Sequence, residues 1–98
     1  TVTGVREYEV ARSDVPKMME LVPALQKITD DHDADLGVGV PLFAGDHQMM
    51  RVVYRFKDLE HWGNSVDAIA NNPEFAALVE KANEIGMLKK SRVLMKLT

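Results

Sequence analysis

The segment from Gln48 to Phe56 constrains the fold most, because its side chains alternate with the two-residue period of a β-strand. One face of this strand would carry Met50, Val52, Tyr54 and Phe56, and the other would carry Met49, Arg51, Val53 and Arg55. Apolar side chains therefore occur on both faces, whereas a strand with one face in water alternates cleanly between apolar and polar residues. The segment predicts a strand inside a sheet that is covered on both sides.

Three more strands are predicted, over residues 4–11, 36–42 and 91–97, with a turn over 44–47. Between the first two, apolar residues at helical spacing predict a helix over 15–30. Pro23 interrupts this helix, and we expect a bend there because proline cannot donate a backbone hydrogen bond. Pro41 indicates that the second strand lies at an edge of the sheet.

A second helical region is predicted over 59–85 in two pieces. Asp58 is the expected N-cap of the first piece, which carries Trp62 on its apolar face. Asn72 followed by Pro73 predicts a new helix start, and Gly86 predicts the end of that helix.

The resulting order, β-α-β-β-α-β, predicts a single α+β domain over residues 1–98 with a ferredoxin-like fold. In this fold a four-stranded antiparallel sheet has both helical regions on one face, and strands one and three lie in the centre. The other face also needs a cover, because Val53 and Leu94 would point toward it. A second copy of the sheet is the simplest cover, so the chain is predicted to form a homodimer.

Composition excludes several classes of function. A formal charge of −3 gives no positive field for nucleic acid, and the absence of cysteine excludes disulfides, cysteine-based metal centres and thiol catalysis. The uninterrupted apolar stretches are far shorter than the roughly 20 residues that span a bilayer. We therefore predict no nucleic-acid partner, no membrane association and a cytoplasmic location.

Three segments carry a resemblance to a known superfamily: VREYEV at 5–10, VVYRFKDLEHW at 52–62 and NNPEFAAL at 71–78. A strand that ends in an aromatic residue, followed by Asp-Leu-Glu and a helical aromatic residue, resembles the dimeric α/β-barrel superfamily. Its members include NIPSNAP-like proteins, antibiotic-biosynthesis monooxygenases and stress-responsive barrel proteins. The resemblance implies a homodimeric α/β barrel with an apolar pocket between sheet and helices in each protomer.

The resemblance does not extend to haem chemistry. The haem-degrading branch of the superfamily uses an Asn, a Trp and a His around its porphyrin. Trp62 lies on the corresponding helix, but the position ten residues on is Asn72, and no histidine lies between residues 62 and 98. No haem or other cofactor is predicted.

Two histidines are candidates for a general base, His47 and His61, because imidazole titrates near neutral pH. His61 is preferred, since the first turn of its helix lies near the pocket mouth in the resembling folds. His61 and Trp62 are accordingly the candidate catalytic residues. Alternate aspartates at 31, 33 and 35 are similar to the start of a calcium-binding loop, but Leu36 and Leu42 replace its glycine and glutamate, so no metal site is predicted.

The six methionines are an unusual feature for 98 residues, because methionine is frequent on surfaces that accept varied ligands. Some of them could project between helices and sheet, and an arginine on a central strand could bind a ligand carboxylate. The candidate ligand-binding residues are Met18, Met19, Met50, Tyr54, Trp62, Met95 and Arg55, with Arg6 and Arg51 as the other strand arginines. An adaptable core and salt bridges to Glu7 or Glu9 are the alternatives for these residues.

Three functions follow as hypotheses. The first is a homodimer that binds an apolar or amphiphilic small molecule, such as a fatty-acid-like carboxylate. The second is a cofactor-independent monooxygenase or isomerase of a polycyclic or quinone-like substrate, with Tyr54, His61 and Trp62 near the chemistry. The third is a dimerisation module without a ligand. No motif in the sequence separates an enzyme from a binding protein.

Overall fold

The computed structural model describes residues 1–40 and 47–95, without the side chains of residues 47 and 48. The elements follow one another as β1 (Val2–Ala11), α1 (Val15–Met19), α2 (Val22–Asp31), β2 (Asp35–Gly39), β3 (His47–Phe56), α3 (Leu59–Ala70), α4 (Pro73–Ile85) and β4 (Gly86–Met95). A short 3-10 turn at Arg12–Asp14 joins β1 to α1. The predicted turn over 44–47, Pro41 and the predicted strand end at Leu97 fall wholly or partly outside the described residues.

The four strands form one antiparallel sheet in the order β2-β3-β1-β4. The central pair is in register from Val2 opposite Phe56 to Ala11 opposite His47. This confirms the predicted α+β ferredoxin-like fold, with the first and third strands in the centre and the second strand at an edge.

The alternation of the strands gives the sheet two different faces. The helical face, which packs against the helices, carries Arg6 and Tyr8 of β1 and Val52 and Tyr54 of β3. The open face, on the other side, carries Glu7 of β1, together with its cross-strand partner Arg51 and with Val53. The bare face predicted for β2 is also present, because Gly37 and Gly39 pair with Val53 and Arg51 on the open face.

The first helical region is broken, so the prediction of a single bent helix is wrong. α1 ends at Met19 and α2 begins at Val22, with a two-residue turn between them. Pro23, in the first turn of α2, has no amide hydrogen to donate to the carbonyl of Met19. The loss of this bond, together with the steric demand of the ring, ends α1 instead of tilting it.

The two later helices begin as predicted. The side chain of Asp58 accepts a hydrogen bond of 2.8 Å from the backbone N–H of His61, and this bond caps α3. The side chain of Asn72 accepts one of 2.8 Å from the N–H of Glu74, with Pro73 at the first position of α4. Both caps satisfy amides that have no partner inside the helix. None of the described helices has the length and apolar character needed to cross a membrane.

The last strand begins at Gly86 and not at residue 91, because β1 is ten residues long and β4 pairs along it from Val10 to Val2. An irregularity in register between Glu7 and Tyr8 accommodates this length. The sequence 87–90 contains two lysines and weak alternation, so the extension was missed.

Gly86 ends α4 as predicted, but its backbone is extended, with φ −139°, so a left-handed conformation is not the reason for glycine. The reason is close packing. A Cβ at this position would lie 2.8 Å from Val10 Cγ2 and 3.0 Å from the backbone oxygen of Glu9.

Gly86→Ala is therefore expected to destabilise the protein by about 1–3 kcal/mol, the usual cost of forcing added volume into a packed site. Urea unfolding would measure this change. Gly63→Ala is a matched control, because a Cβ at Gly63 meets no atom within 4 Å. Equal stabilities of the two variants would contradict the packing explanation.

Two apolar clusters form the core between the helical face and the helices. One contains the buried side chains of Tyr8, Val10, Met18 and Met50. The other contains Val2, Ala34 and Phe56, with Tyr54 and Trp62 packed against it. An unfilled space beside the second cluster, lined in part by Tyr54, Phe56 and Trp62, is the candidate site.

Candidate functional site

A cavity of about 260 Å³ lies between the helical face of the sheet and helices α3 and α4. Its volume approaches the roughly 300–1,000 Å³ that is usual for small-molecule sites. The lining is mainly apolar and consists of Gly4, Val5, Arg6, Tyr54, Phe56, Trp62, Val66, Ile69, Ala70, Phe75, Ser91, Arg92 and Val93. We call this space the large cavity.

Gly4 helps to create the large cavity because it contributes no side chain to the centre of the sheet. It lies opposite Tyr54 on β3 and opposite Val93 on β4. A Cβ at Gly4 would meet Tyr54 Cδ2 at 3.8 Å, which is an ordinary van der Waals distance. The backbone thus permits a side chain here, and its absence leaves space above the strand.

Arg6 supplies a positive charge to this mainly apolar lining. It lies on the helical face of β1, two residues after Gly4, and is half-buried. Within the described part of the chain, no carboxylate lies within 4.0 Å of the Arg6 side chain, and no acidic residue lines the cavity. Among the described residues, the charge of Arg6 therefore has no ion-pair partner.

Tyr54 lies beside Arg6 and stays protonated over a wide pH range. Burial raises the pKa of Tyr54 to about 12, although the nearby positive charge of Arg6 acts in the opposite direction. Its hydroxyl group is thus a hydrogen-bond donor at neutral pH.

This pKa predicts that stability decreases at alkaline pH. The folded state keeps the Tyr54 phenol neutral. Its contribution to stability is therefore complete below pH 10, the usual pKa of a tyrosine exposed to water, and is lost as pH rises through about 12. Urea unfolding at a series of pH values should show this decrease, and Tyr54→Phe should reduce it. An identical pH dependence in the variant would contradict the prediction.

A second, smaller cavity of about 50 Å³ lies toward α1 and α2. Arg6, Tyr54 and Phe75 line both cavities and so form the boundary between them. Met18 and Met50 line the small cavity, where both are buried in the core cluster with Tyr8 and Val10.

The structure brings together only part of the predicted ligand-binding set. Tyr54 and Trp62 line the large cavity. Met19 is 40% exposed on α1, and Met95 is 50% exposed on β4. Arg55 lies opposite Thr3 on the open face, away from both cavities.

Both ring nitrogens of His61, the candidate general base, are engaged in hydrogen bonds. Nδ1 accepts a hydrogen bond of 2.9 Å from the backbone N–H of Lys57, and Nε2 faces the carbonyl oxygen of His32. Because a carbonyl oxygen only accepts, Nε2 is the donor of this pair, while Nδ1 is an acceptor. Its edge-on packing against Phe56, with ring centroids 5.4 Å apart, holds this arrangement. His61 thus joins α3 to the turn that follows α2.

The other titratable candidates are His47 and the aspartates at and after the end of α2. The side chain of His47 lies outside the described residues, and Asp31, Asp33 and Asp35 are exposed. Within residues 1–40 and 47–95, no group of three or more histidine or acidic side chains is placed to hold a metal ion.

On the open face, the carboxylate of Glu7 is paired with arginine. Glu7 accepts hydrogen bonds from Nη2 and Nε of Arg51 at 2.8 and 3.1 Å, and Arg92 lies 4.0 Å from the same carboxylate oxygen. The Arg51 hydrogen bond lowers the pKa of Glu7 below its usual value. Arg51 thus forms a salt bridge with Glu7, which was the alternative to ligand binding for this arginine.

Comparison with known proteins supports the fold. An uncharacterized NIPSNAP domain protein from Burkholderia xenovorans superimposes with a TM-score of 0.76 at 16% identity, covering 98% of this chain and 94% of that chain. The chain has the fold of the NIPSNAP-domain proteins. A NIPSNAP family protein from Agrobacterium tumefaciens gives a TM-score of 0.74 at 14% identity, covering 96% and 90% of the two chains.

A protein with a different name also has this fold. The structure of an antibiotic biosynthesis monooxygenase gives a TM-score of 0.65 at 12% identity, covering 100% of this chain and 99% of that chain. No protein-family profile and no curated protein matches the sequence. The suspected resemblance is confirmed at the level of the fold.

Proposed function

We propose that this protein is a homodimer that binds an apolar or amphiphilic small molecule in the large cavity of each protomer. The observation that carries the proposal is the cavity itself, with its apolar lining between sheet and helices. Aromatic side chains of Trp62, Phe75 and Tyr54 supply apolar contact area, and Arg6 supplies a polar contact. The predicted cytoplasmic location is part of this proposal.

The homodimer is supported by the open face of the sheet, which none of the helices in residues 1–40 and 47–95 covers. Val53 is half-buried there, while Leu94 and Met87 are 53% and 61% exposed. β4 is also a ten-residue edge strand that is exposed along nearly its whole length. Exposed apolar surface and a long free edge are both typical of a surface that associates.

The alternative function is a cofactor-independent monooxygenase or isomerase, and the fold shared with an antibiotic biosynthesis monooxygenase favours it. Trp62 and Tyr54 would then contact the substrate. We rank binding first because His61 uses both ring nitrogens within the protein and is not free to move a proton. Oxygen consumption with a quinol would favour the enzyme, and a dimer with no ligand affinity would favour the dimerisation module.

Titration with decan-1-ol tests the binding proposal. Trp62 is the only tryptophan of the chain, so its fluorescence reports occupancy directly, and a bound ligand should also raise the melting temperature by mass action. Saturable changes in both measurements are expected. A protein that shows neither change with decan-1-ol or decanoate would contradict the proposal.

A variant with a smaller cavity tests where the ligand binds. Gly4→Val places methyl groups in the space above β1, where the backbone permits a Cβ. We expect at least tenfold weaker binding of decan-1-ol with retained folding, because valine also favours strands. Gly63→Ala, at an open position of α3, should leave the affinity unchanged. Equal affinities of the two variants would place the ligand elsewhere.

A further inference from the structure

We infer that the ligand of the large cavity carries one carboxylate group, which binds Arg6 and Tyr54 at the boundary between the two cavities. This inference rests on the proposed binding function and specifies the chemistry of the ligand. The apolar part of the ligand then lies in the large cavity against Trp62 and Phe75.

Arg6 lies on the face of the sheet that packs against the helices, and it lines both cavities. Arg6 is half-buried there, so its charge is partly desolvated, and this costs free energy unless an opposite charge compensates it. No described carboxylate lies within 4.0 Å of Arg6, so a bound anion is the available compensation.

The open face provides a comparison within the same sheet. There the protein places Glu7 between Arg51, at 2.8 Å, and Arg92, at 4.0 Å. Arg6 neighbours Glu7 in sequence but points to the other face, where the cavity lining contains no acid. The chain thus pairs these open-face arginines internally and leaves Arg6 for an external partner.

Arg6 and Tyr54 place hydrogen-bond donors at the boundary between the two cavities. The guanidinium of Arg6 presents several N–H groups and suits a carboxylate bidentately, and the neutral phenol of Tyr54 is an additional donor. Phe75 closes the boundary on the helix side. An alcohol or hydrocarbon would leave the charge of Arg6 uncompensated, so an acid is favoured.

The test compares decanoate with decan-1-ol at pH 8, because the two probes share a chain and differ in charge. Both are titrated into the wild-type protein, Arg6→Met and Arg55→Met, with Trp62 fluorescence as the readout. Arg6→Met retains much of the apolar stem and removes the charge. Arg55→Met makes the same change on the open face, away from both cavities.

We expect Arg6→Met to weaken decanoate binding by about tenfold or more and to change decan-1-ol binding by less than about twofold, since only decanoate loses charge-assisted hydrogen bonds. Arg55→Met should change the affinity for neither probe by more than about twofold. Arg6→Lys should retain part of the decanoate affinity, and Tyr54→Phe should weaken decanoate more than decan-1-ol.

Each other outcome is informative. Equal effects of Arg6→Met on the two probes, or loss of decanoate selectivity in Arg55→Met, would overturn the assignment of the carboxylate to Arg6. If Arg6→Met does not fold, Arg6→Lys and Tyr54→Phe make the same comparison. Binding of neither probe to the wild-type protein would instead refute the proposed function itself.

Discussion

Val53→Asp is expected to convert the proposed dimer, with a mass of twice 11.0 kDa, into a monomer at micromolar concentration. Val53 lies near the centre of the open face, opposite Val5 on β1 and Gly37 on β2. A second sheet on this face would bury the new carboxylate, at a cost of several kcal/mol. Sedimentation velocity of the wild-type protein and the variant measures the change.

The variant monomer should still fold, because Arg51 and Arg55 flank position 53 on the same face and can balance the new charge. Ala68→Asp is the control, since it adds the same charge at an exposed position of α3. It should remain dimeric. A wild-type protein that sediments as a monomer at micromolar concentration, or a Val53→Asp variant that dimerises normally, would refute the proposed dimer.

Most of the fold could be predicted because its signals are local. The alternation of residues 48–56 indicates β3, and the Asp58 and Asn72 caps mark where α3 and α4 begin. The missed features depend on packing between distant segments. The extension of β4 back to Gly86 follows from the length of β1. The break before Val22 depends on the relative stabilities of a turn and a bent helix at this position.

The candidate site was predicted less well, for a physical reason. Methionine composition indicates adaptable packing but not position, and Met18 and Met50 fill the core beside the small cavity. The available signal was the pattern of β1, where Arg6 shares a face with Tyr8 and Val10. A charge on an otherwise apolar face indicates a site, but only the fold shows that Gly4 leaves space next to it.

The position of Met50 in the core leads to the second large effect. Met50→Ala is expected to destabilise the protein by about 2–5 kcal/mol, because the side chain is 1% exposed and packs with Tyr8, Val10 and Met18. For a chain of this size, such a loss lowers the melting temperature by roughly 10 °C or more. Met50→Trp should also destabilise, since the adjoining space of about 50 Å³ is small for an indole.

Met19→Ala is the matched control, because that methionine is 40% exposed on α1 and should change stability by less than about 1 kcal/mol. Thermal and urea unfolding of both alanine variants make the comparison. Met50 faces the helices, so the folded fraction of Met50→Ala should still form the proposed dimer. Val53→Asp, in contrast, should retain the fold and not dimerise. A Met50→Ala variant as stable as Met19→Ala would mean that the small cavity, and not the core, determines the role of Met50.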